Sequence, residues 1–564
     1  MTPPKVDLWT SPPELRLQQF EQIRHYARQE RLPWRRLESG VNEELRTVPA
    51  KKNGFGRNEK PFPLRAVSLL PRRQFQRALR DRFENELSEV SANALKRTSP
   101  IDSAAHTLST GQLAGGGLLL LASVLAVFLA PVAYFVALNV FATAYFICAI
   151  GFRLLLTGVS IRGNAAHDMQ APPLEDADLP EVTILLPVYH EATSLPVLSA
   201  SINELDYPRE KLDIKLLVEA DDEETLFEAR RLGLDRQFEL VAIPSSTPRT
   251  KPKACNHALY LARGELTVIY DAEDQPEPDQ LRKAAAAMKR GGSKLACVQA
   301  RLNYYNADEN WLTRLFALEY ALWFDSLLPA LERLGAPIPL GGTSNIFRTE
   351  TLLEVGGWDP YNVTEDADLG LRLARRGYRT EILDSTTFEE ANCRTGNWIR
   401  QRSRWMKGYV QTWFVHMRRP RELLRVGGWC GFASTQLFVA GNVFSALINP
   451  LLWLVFFYWF FTRDAGVSVL FPGPILWLNL FALLIGNFFF IYLAIVAPLK
   501  RGWPALSPYA LLAPAYWTLT SVAAYKALWQ LATRPHFWEK TTHVLSSDAK
   551  AKRAEVLKNY GRSL

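Results

Sequence analysis

Charge is spread so unevenly along this chain that a single soluble globule cannot accommodate it. Residues 115–156 and 432–497 are nearly free of charged side chains, whereas residues 1–105 are crowded with them. Gly115–Leu156 is a run of 42 mostly apolar residues. One crossing of a bilayer takes about 20 residues, so this run predicts two helices that turn near Pro131. The later region predicts one long apolar segment, Gly431–Phe461, broken at Pro450, and a second span, Pro474–Val496. Lys and Arg flank the first pair on both sides, and Lys500 and Arg501 follow the last span. Basic flanks face the cytosol, which puts both ends of each pair inside. Tyr509–Leu531 carries Pro514, Thr518, Thr520, Ser521, Lys526 and Gln530. As a further crossing it would place the basic C-terminus outside. It reads instead as an amphipathic helix in the cytosolic interface. The expectation is four crossings with both termini cytoplasmic.

Composition narrows the class. The 564 residues are 48% hydrophobic and 22% charged, which excludes disorder and low-complexity arrays. The net charge of +8 is modest and suits an anionic inner leaflet or a phosphorylated substrate. No basic stripe interleaves with aromatics, so nucleic-acid binding is not expected. Five cysteines lie far apart with no CxxC pair, against a zinc finger or disulfide scaffold. MTPPKVDLW has no apolar core of the kind a cleaved signal peptide needs.

The polar parts divide further. Residues 1–105 read as a small, mostly helical N-terminal domain, helix-like over Pro71–Leu95 and irregular around Lys51–Phe62. Residues 180–390 alternate strand and helix patterns. Val182–Pro187, Ile214–Val218, Leu266–Tyr270 and Leu295–Gln299 suit buried strands of a mostly parallel sheet. Acidic residues sit just past these runs: Asp221 and Asp222; Asp271, Glu273 and Asp274. Thr364, Glu365 and Asp366 precede a helical stretch. One such cluster is usually a strand-end turn or a helix cap. Three feeding one rim call for a cation, and hard carboxylate oxygens suit Mg²⁺ or Mn²⁺. Lys251, Lys253, Arg402 and Arg404 supply the counterweight that a departing diphosphate needs. In QRSRW, Gln401, Arg404 and Trp405 share one helical face, where an indole could stack on a sugar or sit in an interfacial belt.

In order along the chain stand PVYHE (Pro187–Glu191), EADD (Glu219–Asp222), KPKACNHAL (Lys251–Leu259), YDAED (Tyr270–Asp274), GGTSNIFR (Gly341–Arg348), TED (Thr364–Asp366) and QRSRW (Gln401–Trp405). This set resembles the family 2 glycosyltransferases, in particular the membrane-embedded processive type that includes bacterial cellulose synthase. The resemblance implies an α/β GT-A-type glycosyltransferase domain inserted between transmembrane hairpins. With the charge pattern it divides the chain as follows: N-terminal domain 1–105, hairpin 112–158, catalytic domain 180–390, interfacial helices with QRSRW 391–428, two membrane helices 431–497, interfacial helix 505–531 and a cytosolic tail 532–564.

The resemblance also implies roles. Pro187, Tyr189, Glu191, Asp221, Asp222, Lys253 and Asp271 would hold a UDP-sugar. Asp271 would bind the metal together with Glu273 or Asp274. Asp366, beside Glu365, would be the general base. Gln401 and Trp405 would hold the acceptor, while Arg402 and Arg404 would brace the diphosphate. Phe537–His543 matches the placement of a gating loop, and equally that of a membrane-flanking Trp–Lys anchor. The implied function is an inverting transfer from a UDP-sugar, UDP-glucose first, that polymerises and exports a β-linked polysaccharide. The alternative is a non-processive transferase acting on a lipid or lipid-linked acceptor. The partners are then the donor, a growing glycan or lipid acceptor and membrane lipids, with homo-oligomers or accessory export proteins allowed. The setting is the bacterial inner membrane.

Overall fold

The computed structural model describes residues 84–162, 174–541 and 546–563. The chain divides into two compact units, residues 1–90 and 91–564. Of the first, only residues 84–90 are described, and they begin a helix that runs Glu84–Thr98 (α1). Most of the expected N-terminal domain, including Lys51–Phe62 and the first half of Pro71–Leu95, lies outside the described residues. The rest of this section concerns the second unit.

Two helices follow α1, Thr110–Leu129 (α2) and Pro131–Arg162 (α3), separated by a single residue before Pro131. The ring of Pro131 has no N–H to leave unpaired at a helix start, so the turn falls there. Ser109 and Gln112 form a capping box that starts α2. Two further helices are long and apolar enough to cross a membrane, Pro420–Thr462 and Gly473–Arg501, making four with α2 and α3 among the described residues. Pro450 does not break its helix, which runs on through it from Gly441 to Thr462. The irregularities come earlier, at Gly428, which has φ 61°, and in a π-helical turn at Thr435–Ala440.

Between these helices lies an α/β lobe around an eight-stranded sheet in the order β3-β2-β1-β4-β7-β6-β8-β5. The strands are β1 Val182–Val188, β2 Leu212–Glu219, β3 Glu239–Ile243, β4 Leu266–Ile269, β5 Gln275–Pro276, β6 Leu295–Tyr304, β7 Asn345–Arg348 and β8 Arg379–Glu389. The four apolar runs expected from sequence are β1, β2, β4 and β6. The sheet is mixed rather than mostly parallel. β3, β2, β1 and β4 are parallel, but β7 enters antiparallel between β4 and β6. Helices cover both faces, so Ile184, Leu185, Leu186 and Val268 are all fully buried and the strands are apolar throughout.

This topology chooses the site. β1 leads outward to β2 and β3 on one side and to β4 on the other. Strand order therefore reverses between β1 and β4, and the crevice beyond their carboxyl ends is where open α/β sheets bind ligands. Lys251–Leu259 (α4), Trp311–Leu322 (α5), Glu365–Arg375 (α6) and Thr395–His416 (α7) are arranged around that edge. With these labels, Pro420–Thr462 is α8, Gly473–Arg501 is α9, and Ala513–Thr533 (α10) packs along α7. A last helix, Ser547–Ser563, is α11.

Candidate active site

The turn after β1 is held by a carboxylate on the neighbouring strand. His190 stands in the left-handed region (φ 51°). Its N–H donates to Asp222 Oδ2 at 2.5 Å, while Asp222 Oδ1 accepts from Thr225 N at 3.2 Å. Asp222 thus caps its own helix and pins the β1 turn, and it is buried. Asp221 is open to solvent and pairs with Arg249 at 2.8 Å. Arg249 also donates to the Tyr189 hydroxyl at 3.0 Å. Lys253 is buried, with Nζ 3.2 Å from Glu219 and donating to Pro244 O at 3.1 Å. Burial pushes this ammonium below its ordinary range. Of the residues expected at the nucleotide, Tyr189, Asp221 and Glu191 lie at the open edge. Asp222 and Lys253 support them from beneath, and Pro187 is part of β1.

After β4 the carboxylates divide in the same way. Asp274 is fully buried, and its Oδ2 accepts from Asp271 N at 2.7 Å and from the Thr343 hydroxyl. Burial, then Asp271 and Glu273 nearby, hold its carboxyl well above the usual range. Asp274 staples the turn. Asp271 and Glu273 line the central cavity, joined by Glu389 at the end of β8. Glu389 is likewise pushed well up, by burial and then by Asp274, Glu273 and Asp271. Lys251 Nζ sits 2.5 Å from Asp271 and donates to Gly342 O at 2.7 Å. Among the described residues, no three His, Cys, Asp or Glu side chains are gathered as a ready metal site. The donor set nevertheless fits a divalent cation. Asp271 and Glu273 present hard oxygens to the cavity, and crowding among carboxylates is relieved by added positive charge.

The opposite wall comes from α6 and α7. Asp366, in the first turn of α6, turns one oxygen onto Ala367 N at 2.7 Å. A Cβ on Gly342 would come 3.3 Å from the other oxygen, so a glycine is what lets that loop pass close. Burial raises the carboxyls of both Glu365 and Asp366, and Asp366 raises Glu365 further; Lys251 and Arg404 pull both back down. On α7, Gln401 accepts from Asn392 Nδ2 at 2.8 Å. Arg404 lies over the Trp538 ring at 4.5 Å, and its Nε is buried with no hydrogen-bond acceptor among the described residues. The carboxylates that act on Arg404 are Glu365, Asp366 and Asp271, from two separate elements. Trp405 packs against Phe316 and Tyr320 and lines the cavity.

Arg402, expected beside the diphosphate, lines the cavity but is engaged by partners of its own. Its guanidinium donates to both oxygens of Glu319 on α5, at 2.8 and 2.5 Å, and to the Tyr516 hydroxyl on α10 at 2.9 Å. The rings of Phe316, Trp398, Trp405 and Tyr516 surround it at 4.8–5.9 Å. It ties α5, α7 and α10 together beside the site. Glu319 and Tyr516 carry no motif, and nothing in the sequence singles them out. Glu389 could have been found as one more acid past a strand end, had β8 been recognised.

The segment after α10 crosses this region. Lys407 Nζ donates to Phe537 O at 2.7 Å, Gln411 Nε2 donates to Pro535 O at 3.0 Å, and Lys540 reaches the Tyr189 carbonyl. Glu191 lies 3.6 Å from Lys540. Trp538 lines the cavity, while Thr542 and His543 lie outside the described residues. The cavity is about 1160 Å³. It runs without interruption from Asp271, Asp366 and Arg404 to Phe146, Phe456 and Phe488 on the membrane-length helices.

Residues 266–498 match the model of glycosyl transferase family group 2. The chain is 28% identical over 238 residues to the beta-monoglucosyldiacylglycerol synthase of Trichormus variabilis, covering 41% of this chain and 50% of that protein. The synthase of the same name from Nostoc sp. matches with the same identity and coverage. The chain thus spans about half the length of these curated relatives. A mannosyltransferase from Pyrobaculum calidifontis, solved with GDP-Man and Mn²⁺, is 20% identical with a TM-score of 0.42, over 68% of this chain and 99% of that one. The family match begins at β4 and runs through α7 into α9, so the part of the chain that is similar to the family 2 glycosyltransferases takes in Asp271, Asp366 and Arg404 together.

Proposed function

We propose that the protein transfers a sugar from a nucleotide diphosphate donor, UDP-glucose first, to a hydroxyl of a membrane lipid, with inversion at the anomeric carbon. One observation carries this reading. The cavity that holds Asp366 continues into a space between membrane-length helices, where apolar side chains form most of the wall. Acyl chains suit such a wall better than a hydrated glycan does. The relatives in Trichormus and Nostoc are named for a sugar carried on a lipid.

In this reading Tyr189, Asp221 and Arg249 hold the nucleoside end of the donor. The acceptor hydroxyl lies against the Asp366 carboxylate, which takes its proton as oxygen attacks the anomeric carbon. The carbon–oxygen bond to the diphosphate breaks on the opposite face, and an α-linked donor gives a β-linked product. Negative charge then grows on the leaving oxygen, where Arg404 and Lys251 receive it. A Mg²⁺ or Mn²⁺ ion held by Asp271 and Glu273 adds positive charge at the same place. Gln401 and Trp405 flank the acceptor. Trp405 against Tyr320 is also the observation that favours the second reading, polymerisation of a β-linked glycan, because paired rings can stack on successive sugars.

The test is a product analysis with the full-length protein in lipid nanodiscs, membrane lipid extract and radiolabelled UDP-glucose. Label is expected in the organic phase, lost with EDTA and restored by Mg²⁺ or Mn²⁺. Label confined to an insoluble polymer that β-glucanase degrades would overturn the lipid reading in favour of the second.

A further inference from the structure

Arg153 lies on α3, seven residues or about 10 Å before Ser160. Ser160 marks where this helix meets the polar lobe. Its hydroxyl accepts from Lys500 Nζ at 2.9 Å, and Arg333 donates to Val159 O at 3.2 Å. Arg153 therefore sits one to two turns inside a membrane-length helix. Among the described residues, it is the only charged side chain of the membrane-length helices that lines the central cavity. Its surroundings are poor in partners. One nitrogen stands 3.4 Å from Asn442 Oδ1, and the guanidinium lies over the rings of Phe438 and Phe490 at 5.6 and 4.7 Å. Among the described residues, no carboxylate forms an ion pair with it. The other polar side chains along this wall, among them Ser445, Asn449, Asn479 and Asn487, are neutral.

A guanidinium in such a place is costly unless an anion meets it, and ionisable groups inside membrane helices mark binding sites or pathways. A neutral acceptor would leave it unmet. A phosphate ester would receive two parallel hydrogen bonds from it. Resting on the lipid-acceptor reading above, we propose that the acceptor is an anionic lipid. Arg153 holds its phosphate, its hydroxyl reaches Asp366, and its acyl chains lie along Phe456, Leu484 and Phe488. No bond changes at Arg153, which is a specificity residue.

The experiment uses the full-length protein in mixed micelles with labelled donor and two acceptors, dioleoyl phosphatidylglycerol and dioleoylglycerol. Phosphatidylglycerol carries a hydroxyl and a phosphate in one headgroup. The wild-type KM for it is expected to be about tenfold lower than for dioleoylglycerol, as a charge-assisted pair would give. Arg153→Gln should raise that KM about tenfold with kcat little changed, and Arg153→Lys should restore part of it. Inorganic phosphate at millimolar concentration should not compete, because it has no chains to bury. Equal use of both lipids with no effect of Arg153→Gln would overturn this inference and leave the lipid reading standing. Competition by inorganic phosphate would overturn it too, by making the site one for free anions. Label found only in polymer would overturn both. If Arg153→Gln does not accumulate, the wild-type preference between the two lipids decides.

Discussion

Asp366, the proposed base, and its neighbour Glu365 show what burying carboxyls costs the fold. Burial raises both carboxyls above the usual range, and Asp366 raises Glu365 further. The base must be unprotonated to act, so kcat/KM should fall as pH drops through this raised value, above the pH 4 region of an ordinary aspartate. The pH–rate profile checks this, and an acid limb at pH 4 or below would contradict it. Asp366→Asn should lower kcat by about 10²-fold or more while UDP still binds. Stability moves the other way. A carboxyl whose pKa is raised in the folded state penalises folding above its folded value and not below its unfolded one. Glu365→Gln and Asp366→Asn should therefore raise the Tm at pH 8 and leave it nearly unchanged at pH 4.

Among the elements, α7 carries Gln401, Arg404 and Trp405, the proposed acceptor and leaving-group contacts, and its position depends on a glycine. A Cβ on Gly408 would overlap the Thr364 side chain, the residue just before Glu365 and Asp366. Gly396 on the same helix has nothing within 4 Å of such a Cβ. Gly408→Ala should cost about 1–3 kcal/mol and lower kcat, because α7 must move off the turn that holds the base. Gly396→Ala should be neutral or slightly stabilising. Melting curves and initial rates on both variants check the pair, and equal behaviour of the two would refute the packing argument. The other side of α7 is fixed by Arg402, whose salt bridge to Glu319 joins helices 83 residues apart in sequence.

At the scale of the molecule, the membrane helices pack through small residues. A Cβ on Gly486 would come 2.6 Å from Ile150, and one on Gly441 would strike Tyr145, so backbones approach closely there. Four crossings, as proposed, would place the lobe on the same side of the membrane as the chain before α2 and the chain after α9. Alkaline phosphatase fused at Ala130 should then be active, and fused after Leu564 inactive, while a fluorescent protein after Leu564 should glow. Active phosphatase at the C-terminus would mean an odd number of crossings, with Ala513–Thr533 as the added one.

Hydropathy runs, strand-like segments and the order of acidic and basic motifs are local properties, and they were legible in the sequence. Apolar length alone marked α2, α3, α8 and α9, and buried apolar runs marked β1, β2, β4 and β6. Choice of partner is not local. Asp274 turns inward because Thr343 and the Asp271 N–H meet it there, and Arg402 pairs with Glu319 because that carboxylate lies within reach. β7 enters the sheet antiparallel, and Pro450 stays inside a helix, because distant segments complete their hydrogen bonds and packing. The chemistry available to the chain was thus written in its residue types and their spacing. Which carboxylate faces the cavity, and that the cavity reaches into the membrane helices, only the tertiary structure decided, because contacts between remote segments set burial and pairing.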